Sequence, residues 1–305
     1  MLDLLAIVLP VFGLIGIGYI ARWAGFVSER VGEGLSEFVF TLSLPCLIFR
    51  TLVRAEIPAV QPWGYWISYF AGVAVVWLLA TALGRHFFGI KGVSGVVAGF
   101  AAGQANTVFV GIPMILKAYG DAGAVPLFLL IAVHLPVTMT LATILAEGRQ
   151  ASPLLILRRL LTHPIVVGIL AGSACRPIAA YVPAPAWQVM DLLASAAVPC
   201  ALISMGIALR RYGLQTGWKL PTLISFLKLV VHPLVVLLLA TQVFQMPPVW
   251  AGVAVLFASC PSGINAYLFA ERYGEGVALA SSAVTLSTFL ALGSTLAWLY
   301  VLGVG

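Results

Sequence analysis

In a stretch that otherwise reads as bilayer-spanning, GQANTVFVGIPMILKAYG (103–120), the chain places Gln104, Asn106 and Thr107 ahead of Gly111 and Pro113. Carboxamides and a hydroxyl at this spacing offer several hydrogen-bond donors and acceptors. The Gly-x-Pro that follows removes an intrahelical bond and favours local unwinding. Each polar group left unpaired in hydrocarbon costs on the order of several kcal/mol, so something must compensate for it. A second apolar stretch, LFASCPSGINAYLFAERYG (256–274), repeats the device with Pro261, Ser262, Gly263 and Asn265. Unwound backbone survives at membrane depth only when buried in protein or lining a wet cavity. Two such segments can cross near the midplane, where half-helix N-termini, each worth about half a positive charge, face one site. That chemistry is binding rather than catalysis.

The charge of the ligand follows from which ionisable groups stand near. All ten acidic residues lie in loops or near the ends of apolar runs, whereas one basic residue, Lys228, lies well inside a run, a turn before His232-Pro233. Half-helix N-termini with one lysine and no acid argue for an anion, most simply a carboxylate. Asn106, Asn265 and Ser262 would hydrogen-bond it while Lys228 adds charge from the neighbouring span. His134, in VHLPVT, and His232 have the chemistry of proton relays, and equally that of hydrogen-bonded core histidines beside proline kinks.

The elements that position these residues are apolar helices. The 305 residues are 62% hydrophobic and 9% charged, with a mean hydropathy of +1.08, far from the roughly one quarter charged of soluble domains. Apolar runs recur at 2–20, 34–52, 64–83, 93–117, 122–145, 160–180, 187–208, 220–243, 250–270 and 277–302. Each approaches the roughly 20 residues that a helix needs to cross a bilayer, and none alternates as a barrel strand does. An all-α integral membrane protein of ten spans is expected. The first run lacks the basic flank of a signal peptide and is expected to remain in the mature chain. Cys46, Cys175, Cys200 and Cys260 lack CxxC spacing and indicate neither zinc nor disulfides.

Loop charge sets the orientation. Arg50, Arg54, Lys117 and Arg176 fall on one side and Lys228 within a span, which leaves the remaining eleven of sixteen basic residues on the other side. By the positive-inside rule both termini then lie on the non-cytoplasmic side of the cell (inner) membrane. The net charge of +6 is explained by topology and lipid contact, with no need for a nucleic-acid partner.

The chain also resembles itself. Shifted by 154 residues without a gap, Pro10 aligns with Pro164, Gly18 with Gly172, Arg22 with Arg176, Pro45-Cys46 with Pro199-Cys200, and Tyr119-Gly120 with Tyr273-Gly274. The proline breaks do not coincide under this shift, since Pro113 falls on Tyr267. Two repeats of five spans, 1–154 and 155–305, must enter the membrane from opposite faces because five is odd. The expected architecture is therefore an inverted-topology repeat of the kind on which many secondary transporters are built.

Asn106-Thr107 followed by Gly111-Ile112-Pro113, Cys260-Pro261-Ser262 with Asn265 and the later Ala270-Glu271-Arg272-Tyr273-Gly274, and Leu44-Pro45 together resemble the auxin efflux carrier family. That family includes plant PIN carriers and bacterial malate and malonate permease homologues. The resemblance implies a fold like those of bile acid symporters and sodium/proton antiporters, with broken, crossing helices in spans 4 and 9. It also implies a scaffold of spans 1, 2, 6 and 7, a moving transport unit of spans 3–5 and 8–10, and a homodimer. The family's crossover site maps onto Asn106, Thr107 and Pro113 and onto Pro261, Ser262 and Asn265. Two features depart from the plant carriers. The long hydrophilic loop is absent between spans 5 and 6, and span 3 carries no acidic residue.

The expected function is secondary transport of small organic anions by alternating access, without catalysis, cofactor or metal. A sodium/proton antiporter would look the same by hydropathy but generally relies on a midplane acid. An intramembrane hydrolase would need Ser262 as nucleophile with His232 or His134 as base. With no mid-span carboxylate, the anion is expected to move as a uniport driven by membrane potential, or with protons carried by the basic groups.

Overall fold

The computed structural model describes residues 2–54, 63–148, 158, 162, 164–214 and 217–304. The expected boundary between repeats, at 154, falls outside them. Fourteen α-helices follow in chain order among the described residues. They are α1 Leu2–Trp23, α2 Glu29–Phe38, α3 Leu44–Arg54, α4 Trp63–Phe88, α5 Gly92–Gly103, α6 Ile112–Tyr119 and α7 Ala124–Glu147. The second half holds α8 Pro164–Ala174, α9 Ala184–Tyr212, α10 Lys219–Phe226, α11 His232–Leu238, α12 Pro248–Ser259, α13 Ile264–Tyr273 and α14 Val277–Val301. No strand occurs among the described residues, and seven helical stretches are long and apolar enough to cross a bilayer. The protein is a multi-pass, all-α membrane protein. Two further apolar helices, α5 and α12, are short and end inside the protein.

Three prolines are accommodated by local widening, whereas Pro10, Pro136 and Pro199 stand inside uninterrupted α-helices. A proline ring clashes with the carbonyl four residues back, and a π turn relieves that clash by opening the helix. Such turns occupy Val39–Ser43, Thr107–Gly111 and Leu227–Val231. Each stands two residues before a proline, Pro45, Pro113 and Pro233. The carbonyl that Pro233 leaves without its usual partner is that of Leu229, and it accepts a hydrogen bond from Trp298 Nε1 at 2.8 Å. An orphan at membrane depth is thereby satisfied from α14.

Small residues let the helices touch. A Cβ on Gly18 of α1 would fall on the Ile203 carbonyl of α9, and one on Gly206 would fall on that of Ile15. At the contact of α8 with α3, a Cβ on Gly172 would lie 3.0 Å from Phe49 Cα. Close backbone approach of this kind is how membrane helices gain packing energy without a hydrophobic driving force. The 154-residue shift converts Gly18 into Gly172 and Phe49 into Ile203, so each crossing joins one half of the chain to the other in a matching way.

A crossing of two broken helices as candidate binding site

Helix α5 stops at Gly103, the backbone runs extended from Gln104, and helix resumes at Thr107. Helix α12 stops at Ser259, runs extended through Cys260 and Gly263, and resumes as α13. The two extended pieces pair as an antiparallel bridge between Ala105 and Ser262. Asn106 N–H donates to the Pro261 carbonyl at 2.8 Å, and Gly263 N–H donates to the Gln104 carbonyl at 2.9 Å. A Cβ at position 263 would meet the Ala105 oxygen and Gln104 Cγ at 3.0 Å, so glycine is what fits at this approach. The outward-facing N–H groups are met by side chains from the following helices. Ala105 N–H donates to His134 Nε2 at 3.2 Å, and Ser262 N–H donates to Ser287 Oγ at 3.0 Å. The backbone cost of unwinding in hydrocarbon is thus met.

These bonds come in matched pairs under an offset of 157 residues, 262 minus 105. The shift carries Gln104 to Pro261, Ala105 to Ser262 and Asn106 to Gly263. It also aligns Phe100-Ala101 with Phe257-Ala258. Pro261 sits in its break as expected, whereas Pro113 does not, because the π turn at Thr107–Gly111 absorbs its clash. The break in the first half therefore opens at residues 104–106, ahead of the proline.

Four of the nine residues singled out from the sequence, Gln104, Asn106, Thr107 and Asn265, line one cavity of about 50 Å³. Its walls include the first residues of both resumed helices, Thr107 to Phe109 and Gly263 to Asn265, against Phe40, Ile131 and Leu135. Two half-helix N-termini therefore face one space, and each presents backbone N–H groups and positive dipole. Asn106 Nδ2 donates to Met205 Sδ at 3.5 Å, a weak acceptor. The Thr107 and Asn265 side chains make no hydrogen bond within the described residues. Gln104 is held instead, its Oε1 accepting from Thr138 Oγ1 at 2.6 Å.

The other five lie outside the lining of this cavity. Gly111 lies where a Cβ would press on Cys260 Sγ at 3.2 Å. Pro113 is buried in the first turn of α6 and Pro261 is buried in the bridge. Ser262 Oγ donates to the Ala101 carbonyl at 2.8 Å and has no histidine partner. Lys228 is fully buried, and its Nζ donates to the Ala258 carbonyl at 2.5 Å and lies 3.2 Å from His232 Nδ1. His134 accepts from Ala105 through Nε2, so Nδ1 carries the proton and donates to Tyr69 Oη at 3.0 Å. The sequence reading did not single out Tyr69, Thr138, Met205 or Ser287. Ser287 belongs to a run of buried hydroxyls in α14, with Ser281, Ser282, Thr285 and Thr288, a polar signal inside an apolar helix.

Charges gather at the helix ends. Arg50 pairs with Asp191 at 3.2 Å. At α9's C-terminal end, Arg211 reaches Glu29 at 3.1 Å and Glu33 at 3.4 Å on α2, and Glu271 on α13 at 3.6 Å. No group of three or more His, Cys, Asp or Glu residues that could hold a metal occurs among the described residues.

The family model of a membrane transport protein matches this chain twice, over residues 4–156 and 149–299. A protein of Rhizobium meliloti named "Putative malonate transporter" is 29% identical, with 100% of this chain and 98% of that protein aligned. An uncharacterized transporter of Methanothermobacter thermautotrophicus is 27% identical over 97% of each chain. Another, of Methanocaldococcus jannaschii, is 24% identical, with 97% of this chain and 98% of that protein covered. These similarities indicate a transporter rather than an enzyme. With matches that together span nearly the whole chain, the protein belongs to the membrane transport protein family, the auxin efflux carrier family whose motifs it resembles.

Proposed function

We propose that the protein is a secondary carrier of small carboxylate anions, built from ten spans in two inverted five-helix repeats and working by alternating access. The observation that carries this reading is the convergence of two half-helix N-termini and the neutral side chains of Gln104, Asn106, Thr107 and Asn265 on one cavity without a carboxylate. Backbone N–H groups at helix starts are suited to carboxylate oxygens, and Lys228 adds positive charge from behind rather than by contact. Gly111, Pro113, Pro261 and Ser262 set the backbone that presents the N-termini. A cavity of about 50 Å³ holds roughly three to five water-sized probes, the scale of a carboxylate group and not of an indole ring. Malonate, named for the Rhizobium relative, is the first candidate. The matched offsets of 154 and 157 residues support the inverted repeat. Scaffold spans 1, 2, 6 and 7 would hold spans 3–5 and 8–10 as they move, in a homodimer with both termini outside the inner membrane.

The driving force follows from the absence of a mid-span acid. An inside-negative potential expels anions by about 2.3 kcal/mol per charge per 100 mV, roughly fiftyfold, so export needs no coupling ion. The test is uptake into proteoliposomes of malonate, malate and indole-3-acetate, with pH equal on both sides and a potassium diffusion potential imposed. Malonate flux that follows the potential is expected. Flux that ignores the potential and follows a pH step would overturn uniport, and sodium-driven proton flux without any organic anion would overturn the carboxylate reading itself.

A further inference from the structure

Breaking two helices in the membrane creates two C-terminal ends as well as two N-terminal ones. Each C-terminus carries about half a negative charge on carbonyls that have lost their helical partners. In the register of the crossing, the two ends correspond residue by residue, and Ala101 of α5 stands where Ala258 of α12 stands. The protein treats them differently. The Ala101 carbonyl accepts from the neutral Ser262 hydroxyl at 2.8 Å, whereas the Ala258 carbonyl accepts from the Lys228 ammonium at 2.5 Å. The residue that corresponds to Ser262 is Ala105, which has no hydroxyl to offer. Lys228 is fully buried, its other partner is His232 Nδ1, and it forms no ion pair among the described residues. Broken-helix carriers place their coupling sodium or proton at half-helix C-termini and unwound carbonyls.

We infer that Lys228 is a resident cation: its ammonium occupies the place at the α12 C-terminus that a mobile cation would otherwise fill, as a positioning residue for the crossing and not as a ligand of the transported anion. The π turn Leu227–Val231 that presents Lys228 exists because of Pro233, and Trp298 holds that turn through the Leu229 carbonyl. The ammonium's place is therefore fixed by backbone. Emptying it should create a site for a small monovalent cation that the wild type lacks.

The experiment uses the purified full chain without any organic anion, so its outcome stands apart from that of the carboxylate reading. Melting temperature is measured in sodium, lithium, potassium and choline chlorides at equal ionic strength, for wild type, Lys228→Ser and Lys228→Gln. Wild type is expected to melt at one temperature in all four salts. Lys228→Ser is expected to melt lower in choline and to recover saturably in sodium or lithium. Lys228→Gln, which keeps a hydrogen-bond donor without the charge, is expected to stay below wild type in choline. A sodium-specific rise in the wild type would overturn the inference, because the site would then already take a mobile ion. Lys228→Ser destabilised equally in every salt would overturn it too and leave a merely structural lysine. Should Lys228→Ser fail to fold, Lys228→Gln decides: a loss in choline that sodium or lithium recovers supports the inference, and equality with wild type or an equal loss in every salt refutes it.

Discussion

Truncating Asn106 and Asn265 separates a binding role from a folding role. Asn106 Nδ2 has a thioether acceptor at 3.5 Å, and Asn265 makes no hydrogen bond within the described residues. Removing either amide therefore takes little from the fold, less than about 1 kcal/mol, or a shift of roughly 2–4 °C or less in melting temperature. Each would lose a hydrogen bond to a charged carboxylate, worth about 1.5–3 kcal/mol. At 1.4 kcal/mol per decade, this weakens the dissociation constant by roughly 10- to 150-fold per substitution. Gln104→Ala supplies the contrast, because its Oε1 accepts from buried Thr138 at 2.6 Å. That variant should lose stability as well as affinity. The assay is calorimetric titration of malonate into each purified variant, with the melt of the same sample beside it. Wild-type affinity in both Asn106→Ala and Asn265→Ala would refute the cavity as the binding site.

Three further outcomes follow from packing and charge. Gly206→Ala would drive a methyl into the Ile15 carbonyl where α1 crosses α9, and should destabilise by about 1–3 kcal/mol or more. Gly13→Ala, with nothing within 4 Å, should be neutral in the same thermal melt. Trp298→Phe strands the Leu229 carbonyl and should cost about 1–3 kcal/mol, read as a lower melting temperature with the helical circular dichroism unchanged. Arg211→Gln unties α13 from α2 and α9. With partners 38% to 63% exposed the effect on stability should stay under about 1 kcal/mol. Transport turnover of wild type should rise with ionic strength while that of Arg211→Gln should not, since salt screens the tie only where it exists; equal salt dependence in both would show that Arg211 holds nothing that moves.

Hydropathy made the helical class and the membrane legible, because burial in lipid demands long apolar runs and little else does. The break at Pro261 was legible for the same reason that prolines break helices. The break in the first half was misplaced toward Pro113, since nothing in the local sequence says that a π turn will absorb a proline and leave the helix intact. The helix ends match under the 154 shift, yet the crossing pairs under 157. The first half spends three more residues between its break and Tyr119-Gly120 than the second does before Tyr273-Gly274, so an ungapped comparison passes over Phe100-Ala101 and Phe257-Ala258. Ser262 and Lys228 were rightly seen as out of place in hydrocarbon. That each serves a carbonyl 161 or 30 residues away is a fact of three dimensions that no spacing rule supplies.

The two hydrogen bonds that pair the broken helices at the protein's centre, Asn106 to Pro261 and Gly263 to Gln104, are made by main chain. The side chains that support it, His134, Ser262 and Ser287, lie outside the lining of the cavity. The side chains that look into the cavity from that junction are therefore free to drift over generations without unfastening it. A lineage could exchange Asn106, Thr107 or Asn265 one at a time and arrive at a different cargo on an unchanged chassis. Diversity of cargo among relatives would then be sought in those three positions before any change in helix arrangement.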